Sequence, residues 1–560
     1  NTIDKVSFDL KANMVVDSVL QRGFKRNFSR PGDVVEIDID KRVFNELDSI
    51  QIFYHGDPTS NPYHSYEREK RRPKSPNPVL WTLSEPYGAH AWWPCKESLY
   101  DKIDSVDIFV SVPNNNRVAS NGLLIEEYDL NDSQTLFHWK HKYPIATYLI
   151  AVAVSDYAVF SDWVHFERGD SLEILNYIFP EYVPSGREPA KETVGMMLLF
   201  DSLFGEYPFA KEKYGHAQFL RSGGMEHQTM SFMAGLDYGL IAHELAHQWF
   251  GNKITCGSWV DLWLNEGFAT YLTYLAFEHL QNDSSRLVEL NNIRRRALNQ
   301  NNGSVFISDT LNVSRLFSGS LTYAKGAMLL HMLRWQIGDE AFFAGIKNYI
   351  EDVNLSYATA RTLDLQMHLE RSSGQNLNEF FSDWFYGEGY PTYQIKWRLN
   401  SGLLEIDLEQ IGNSSVAFFD IPVPIGIYGP TKDTIIRLEP KSSLSSFSVP
   451  LGFEPDSIQF DPELWILAKS QIFRTSDIDK SIRLYPQPVT STLYIQHSFN
   501  AVLGAKVYGL DGKLISDIPW ENLDGRTAEI HVQTLAAGYY FIKIEGNNGA
   551  LQSRFIKIDP

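Results

Sequence analysis

His243-Glu244-Leu245-Ala246-His247 decides how this chain is read. It lies in an amphipathic run from Leu240 to Phe250 that predicts a helix, with Gly251 and Asn252 placed to end it. Residues four apart share one helix face, so His243 and His247 can present two imidazole nitrogens to a single metal ion while Glu244 projects beside them. After a spacer of 18 residues, 248–265, comes Glu266, in Asn265-Glu266-Gly267-Phe268-Ala269-Thr270-Tyr271 at the start of a second predicted helix, Glu266 to Leu280. Two histidines and one glutamate leave the fourth position of a tetrahedral zinc ion open to water, the pattern of a catalytic site, since structural sites are closed by protein ligands. Zinc in that position lowers the pKa of its water, and Glu244 is the neighbouring base that takes the proton and hands it to the leaving group.

The rest of the chain sets the context. Of the 560 residues, 43% are apolar and 21% charged, as in ordinary globular proteins, and the length calls for three or four domains. The 69 acidic against 50 basic side chains, a formal charge of −19, argue against a nucleic-acid partner. The one dense basic run, Arg68 to Lys74, is broken by Pro73 and reads as a solvated loop. Cys95 and Cys256 are too few and too far apart for a disulfide scaffold or a thiolate metal site and read as buried free thiols. The longest apolar run, Ile145 to Val154, is too short to span a membrane. The chain begins at Asn1 without an initiator methionine or a leader-like segment, as a processed or shortened chain would.

Hydrophobic periodicity divides the chain into four regions. Residues 1–160 carry short alternating runs such as Val34 to Ile39, Ile50 to Tyr54 and Val106 to Val112, which predict a β domain. Residues 161–390 turn helical from about Lys191, with a further helix predicted over Ser320 to Gln336. After Gly387, Gly389 and Pro391 the β rhythm returns over 391–470, with strands expected at Tyr393 to Trp397, Leu403 to Leu408 and Phe418 to Tyr428, a small β-sandwich. Residues 471–560 form a separate β module rich in turn signals such as Asp511-Gly512.

The zinc motif with its spacer, Asn265 to Tyr271, Gly223-Gly224-Met225-Glu226-His227 and Tyr323-Ala324-Lys325-Gly326-Ala327 together resemble the gluzincin aminopeptidases, the family of aminopeptidase N and leukotriene A hydrolase, over about residues 1 to 467. The resemblance implies a saddle-like antiparallel β domain, a thermolysin-like and mainly helical catalytic domain, one catalytic zinc ion held by His243, His247 and Glu266, and peptide substrates with a free N-terminus. It implies that Gly223, Gly224, Met225 and Glu226 form the exopeptidase loop, with Glu226 binding the substrate α-ammonium. This loop carries His227 where the family has asparagine, and Glu226 lies only 17 residues before His243. Tyr323 would hydrogen-bond the developing oxyanion. Glu85, in the segment Glu85 to Cys95 that ends in Pro94-Cys95, would help to hold the amine; His90 stands there in place of the family's arginine.

Leu484-Tyr485-Pro486-Gln487-Pro488, Val507 to Leu514 and Leu535 to Ile544 resemble the sorting domains that pass proteins through the type IX secretion system of Bacteroidetes-like bacteria. That resemblance implies secretion machinery as a partner and a secreted or cell-surface location. It also implies that the β-sandwich runs directly into the sorting module, without the large helical domain of many relatives, so that the active site is less enclosed.

Overall fold

The computed structural model describes residues 2–43, 46–58, 65–71, 77–400, 402–475, 482–497, 502–510, 512–516, 520–522, 527–546 and 549–559. The chain divides into two compact units, one of residues 1–391, 411–424 and 461–469, the other of 392–410, 425–460 and 470–560.

The first unit opens with antiparallel sheets. Thr2–Asp9 pairs with Val34–Val43, and Val15–Gln21 lies between Phe24–Arg26 and Ile50–His55. Their inward residues, among them Leu10, Val19, Val35 and Ile37, make a small core of their own. A four-stranded sheet follows, ordered Arg117–Ser120, Val152–Ser155, Pro78–Thr82, Tyr66–Lys70, beside a three-stranded one in which Gln134–His141 is central. Alternation along Gln134–His141 puts Thr135, Phe137, Trp139 and His141 inside, the period-2 pattern of a strand with one face on a core. The start of the basic run departs from expectation. Tyr66–Lys70 is a strand, and Arg71 is buried, with ion pairs to Asp156 and to Glu181 (3.0 Å) and its guanidinium over the Phe179 ring. Burial of an arginine is sustained here because both neighbouring carboxylates answer its charge. Residues 72–76 of the run lie outside the described residues.

The sheet that carries the helical region is five-stranded and mixed, ordered Ala158–His165, Ser171–Ile178, Tyr214–Gln218, Ser231–Met233, Gly224–Met225. Helix α1 (Val183–Phe204) begins several residues before the expected Lys191 and packs across its first strands. Helices α2 (Tyr238–Ala246), α3 (Trp263–Leu280), α4 (Asp283–Leu298) and α5 (Gly326–Ile337) follow. Two differ from the expected helices. α2 stops at Ala246, not at Gly251, because the chain tightens into turns at His247, with Gln248 N–H donating to Leu245 and Trp249 N–H to Ala246. The segment expected to open α5 is instead a wide π-type turn, Gly319–Lys325, which contains Tyr323.

The second unit is all β. Leu403–Ile411 pairs with Thr392–Asn400 and Leu444–Pro450; Val423–Tyr428 lies between Asp433–Leu438 and Ser457–Phe460. The strand predicted from Phe418 begins only at Val423, after Pro422. Beyond it, two four-stranded antiparallel sheets enclose Leu493, Ile495, Val507, Ile530, Ile542, Ile544 and Phe555. Asp511 of the Asp511-Gly512 turn lies outside the described residues. No helix is long and apolar enough to cross a membrane among the described residues.

Candidate active site

One wall of the site is helical. Asp237 caps α2 by accepting the Leu240 N–H at 3.0 Å, and the helix then carries His243 and Glu244, with His247 as its C-terminal cap. His247 Nδ1 donates to the Phe250 carbonyl at 3.0 Å, which fixes the tautomer and turns the Nε2 lone pair inward. The early end of α2 therefore serves the site, since the turn that ends the helix orients the second histidine. On α3, the Asn265 side chain accepts the Cys256 N–H at 3.1 Å and ties the loop before the helix, and Glu266 follows. His243 Nε2, His247 Nε2 and Glu266 Oε2 form a triangle with sides of 3.2, 3.3 and 3.4 Å.

That triangle tests the residues against zinc. Ligand bonds of 2.0–2.1 Å at tetrahedral angles require donor atoms about 3.3 Å apart, and the three observed sides match it. The electrostatics agree. Burial opposes a charge on His247, but Glu226 and Glu266 outweigh it and push its pKa up to about 10; burial likewise opposes Glu266, yet the two histidines hold it down at about 2. A site that makes an imidazole keep a proton is short of positive charge, and a divalent cation would supply it.

Two glycines explain how Tyr323 reaches this wall. A Cβ on Gly267 would lie 3.0 Å from the Gly326 carbonyl carbon, and one on Gly326 would lie 3.2 Å from the Gly267 Cα. α3 and α5 thus touch backbone to backbone at the Gly267 and Gly326 of the two quoted motifs. The preceding turn sets the Tyr323 ring parallel to His243, 6.0 Å between centroids.

The other wall is made of loops and a sheet edge. Gly224–Met225 is the outermost strand of the five-stranded sheet, after Gly223 at φ +82°. A Cβ on Gly224 would sit 2.3 Å from Glu244 Oε1, so only glycine leaves room for that carboxylate. The Glu226 carbonyl accepts from Asn252 Nδ2 at 2.8 Å and from Gln248 Nε2 at 3.4 Å, so residues just past α2 hold the loop. Glu85 arrives from the β region, buried, and one oxygen from each of Glu85, Glu226 and Glu266 falls within 4.8 Å of the others. Among the described residues Glu85 Oε1, Glu226 Oε1 and Glu244 Oε2 have no hydrogen-bond partner. Burial, reinforced by neighbouring carboxylates, raises the Glu85 and Glu244 carboxyls well above the ordinary range and Glu226 with them. Such groups await a cationic partner or a proton.

All ten residues singled out in the sequence line one cavity of about 610 Å³. The sequence reading missed Arg221, Asp237, Glu289 and Arg296, which line it too. They sit in no motif, and only the spacing of Glu289 and Arg296, seven apart on one helix face, hinted that they share a surface. His90 is taken up locally, its Nδ1 2.7 Å from Glu97 Oε1.

The chain thus combines an N-terminal β domain, a helical region holding a His-His-Glu triad and a C-terminal β region. Residues 191–384 match the peptidase family M1 domain, and residues 483–558 match the secretion system C-terminal sorting domain. It is 27% identical over 399 residues to Aminopeptidase M1 of Arabidopsis thaliana, covering 66% of this chain and 44% of that protein. It is 36% identical over 160 residues to Aminopeptidase N of Lactococcus lactis subsp. lactis, covering 27% of this chain and 19% of that protein. The chain spans less than half the length of these curated relatives. In fold it is similar to Legionella pneumophila aminopeptidase A, crystallised with aspartic acid (TM-score 0.70, 17% identity, 84% of this chain, 55% of that one). It is also similar to an M1 zinc metallopeptidase from Deinococcus radiodurans bound to a Tyr-Ser-Ala substrate (TM-score 0.58, 22% identity, 67% of this chain, 84% of that one).

Proposed function

We propose that the chain is an exported zinc aminopeptidase that removes N-terminal residues from peptides, built as a saddle-like β domain, a thermolysin-like catalytic domain, a β-sandwich and a sorting module, with boundaries near residues 160, 390 and 470. The observation that carries the reading is the placement of the buried carboxylates of Glu85 and Glu226, each with one oxygen unpartnered among the described residues, beside the His243, His247 and Glu266 triad. His243, His247 and Glu266 would hold one zinc ion, whose chemistry when bound is to polarise a carbonyl and acidify water. Glu244 draws the proton from the attacking water and delivers it to the departing amine. Tyr323 donates to the oxyanion as it forms. Glu226 and Glu85 accept from the α-ammonium, one residue from the scissile carbonyl, and so set the cut at the first peptide bond. Gly223, Gly224 and Met225 supply the loop and sheet edge along which the substrate backbone lies. The sorting module hands the chain to a type IX secretion machinery and places it at the cell surface or outside.

Peptides with free and acetylated N-termini test the reading. The wild type should lose at least about tenfold in kcat/KM on acetylation, as loss of a charge-assisted contact predicts. Glu226→Gln should lose at least about tenfold on the free peptide and show a smaller acetylation penalty. Equal cleavage of both peptides by the wild type would overturn the aminopeptidase reading.

A further inference from the structure

We propose that Arg296 recognises a carboxylate on the departing part of the substrate, making short peptides with a free C-terminus the preferred class; the proposal rests on the aminopeptidase reading of the same site. The cavity that contains the metal triad is lined by Glu85, Glu226, Glu244, Glu266, Asp237 and Glu289, together with two guanidinium groups, Arg221 and Arg296. They occupy different ends of the sequence of the site. Arg221 precedes the Gly223-Gly224 loop, and its charge acts on Glu85, at the pole assigned to the amine. Arg296 lies in the last turn of α4, and α4 packs on the Gly319–Lys325 turn that carries Tyr323. Its charge is felt at His243 and at Glu289.

Arg296 is also uncommitted. Leu290, Ile293 and Ala297 form the buried face of α4, while Arg296 is exposed toward the cavity, and among the described residues it makes no hydrogen bond and no ion pair. Other arginines of the same unit are spent on structure: Arg294 donates to the Ile466 carbonyl, Arg315 to the carbonyls of Ser304 and Phe306, and Arg334 to Glu278 and Asp339. An arginine left free on the rim of a cleft full of carboxylates has a planar fork of donors that matches a carboxylate arriving with the ligand.

Substrate geometry points the same way. With the ammonium at Glu85 and Glu226 and the scissile carbonyl at the triad, the chain continues away from the amine pole at about 3.3 Å per residue. The α-carboxylate of a dipeptide or tripeptide therefore falls within about 3 to 7 Å of the scissile carbonyl. There the acidic lining alone would repel it, and a guanidinium reverses that sign. An aspartate or glutamate side chain in the second position presents the same chemistry.

The test compares a Leu-Gly-Gly free acid, its C-terminal amide and a Leu-Asp-Gly amide, using the full chain loaded with zinc. In the wild type, amidation should lower kcat/KM by about threefold to tenfold, mostly through KM and less at high salt, as befits an exposed ion pair. Arg296→Gln should bring the acid-to-amide ratio close to one, and Arg296→Lys should restore part of it. Faster cleavage of the Leu-Asp-Gly amide than of the plain amide, lost in Arg296→Gln, would support the side chain as a second source of the carboxylate. An acid-to-amide ratio equal in wild type and Arg296→Gln would overturn the proposal while leaving the aminopeptidase reading standing. Leucine anilide, which carries no carboxylate, reads that assignment by itself; a zinc-loaded chain that leaves it intact overturns both.

Discussion

The two walls of the cleft are built on different principles. On the helical wall His243 and Glu244 are placed by helix geometry, His247 by the turn that ends α2 and Glu266 by the packing of α3 on α2, so mostly local structure determines where the donors point. On the loop wall Glu85 and Glu226 come from segments far apart in sequence and are placed by tertiary contacts, the Asn252 and Gln248 bonds to the Glu226 carbonyl above all. A wall of the first kind tolerates the loss of one functional group without moving the others. A wall of the second kind transmits any steric change to its neighbours.

Glu244→Gln gives the largest expected effect and tests the first half of that contrast. The amide is nearly the same size, and Glu244 is not among the triad donors, so zinc content by elemental analysis should stay stoichiometric. kcat should fall by about 10²–10⁴, the usual weight of a general acid-base group. Loss of the metal along with activity would mean that the helical wall is less independent than its geometry implies.

Gly224→Ala tests the second half. Its added methyl would lie 2.3 Å from Glu244 Oε1 and 2.5 Å from the Glu244 carboxyl carbon. Either the carboxylate or the edge strand must shift by about an ångström, and displacement on that scale costs roughly 10²-fold in rate. Zinc should remain. Activity within threefold of wild type would show that the loop wall can yield without moving the base.

The same contrast explains what the sequence made legible. The two histidines of the triad could be found because i, i+4 spacing on a helix is a local rule, and the β rhythm of residues 1–160 because alternation is local too. The end of α2 could not be found that way. Gly251 and Asn252 look like stop signals, but the helix ends earlier, where the turn bonds of Gln248 and Trp249 and the His247 Nδ1 bond to the Phe250 carbonyl take over, and no glycine or proline marks that point. The π-type turn at Tyr323 was read as plain helix for a similar reason: the Gly267–Gly326 approach that accompanies it is a meeting of two helices. Arg71 looked solvated because its partners, Asp156 and Glu181, are 85 and 110 residues away. Glu85 and Glu226 were reached only through resemblance to a family, since neither is distinguished from an ordinary loop carboxylate by its own neighbours in sequence.

The smallest expected effect concerns how the loop wall is held, and it appears in acid. His227 follows Glu226 directly; it is buried edge-on to Phe232, 4.3 Å between ring centroids, and neither ring nitrogen has a partner among the described residues. Burial lowers its pKa from 6.5 to about 3. In the unfolded chain the ring protonates near pH 6.5, whereas in the fold it stays neutral until about pH 3. Between those values the unfolded state binds the extra proton. The contribution of neutral His227 is therefore complete above pH 6.5 and is lost as pH falls toward 3, at no more than about 1.4 kcal/mol per pH unit. His216, whose pKa is also lowered by burial to about 3, adds a slope of the same sign. Replacing His227 by Asn removes one titration and leaves His216 in place. At pH 8 the variant should be less stable than wild type by whatever the lost ring packing is worth. As pH falls to 6 and then 5 that gap should narrow, because only the wild type keeps paying for an unprotonated His227. Thermal midpoints of both proteins at the three pH values measure it, and a gap that stays constant would mean that His227 finds its proton, or a water, inside the fold.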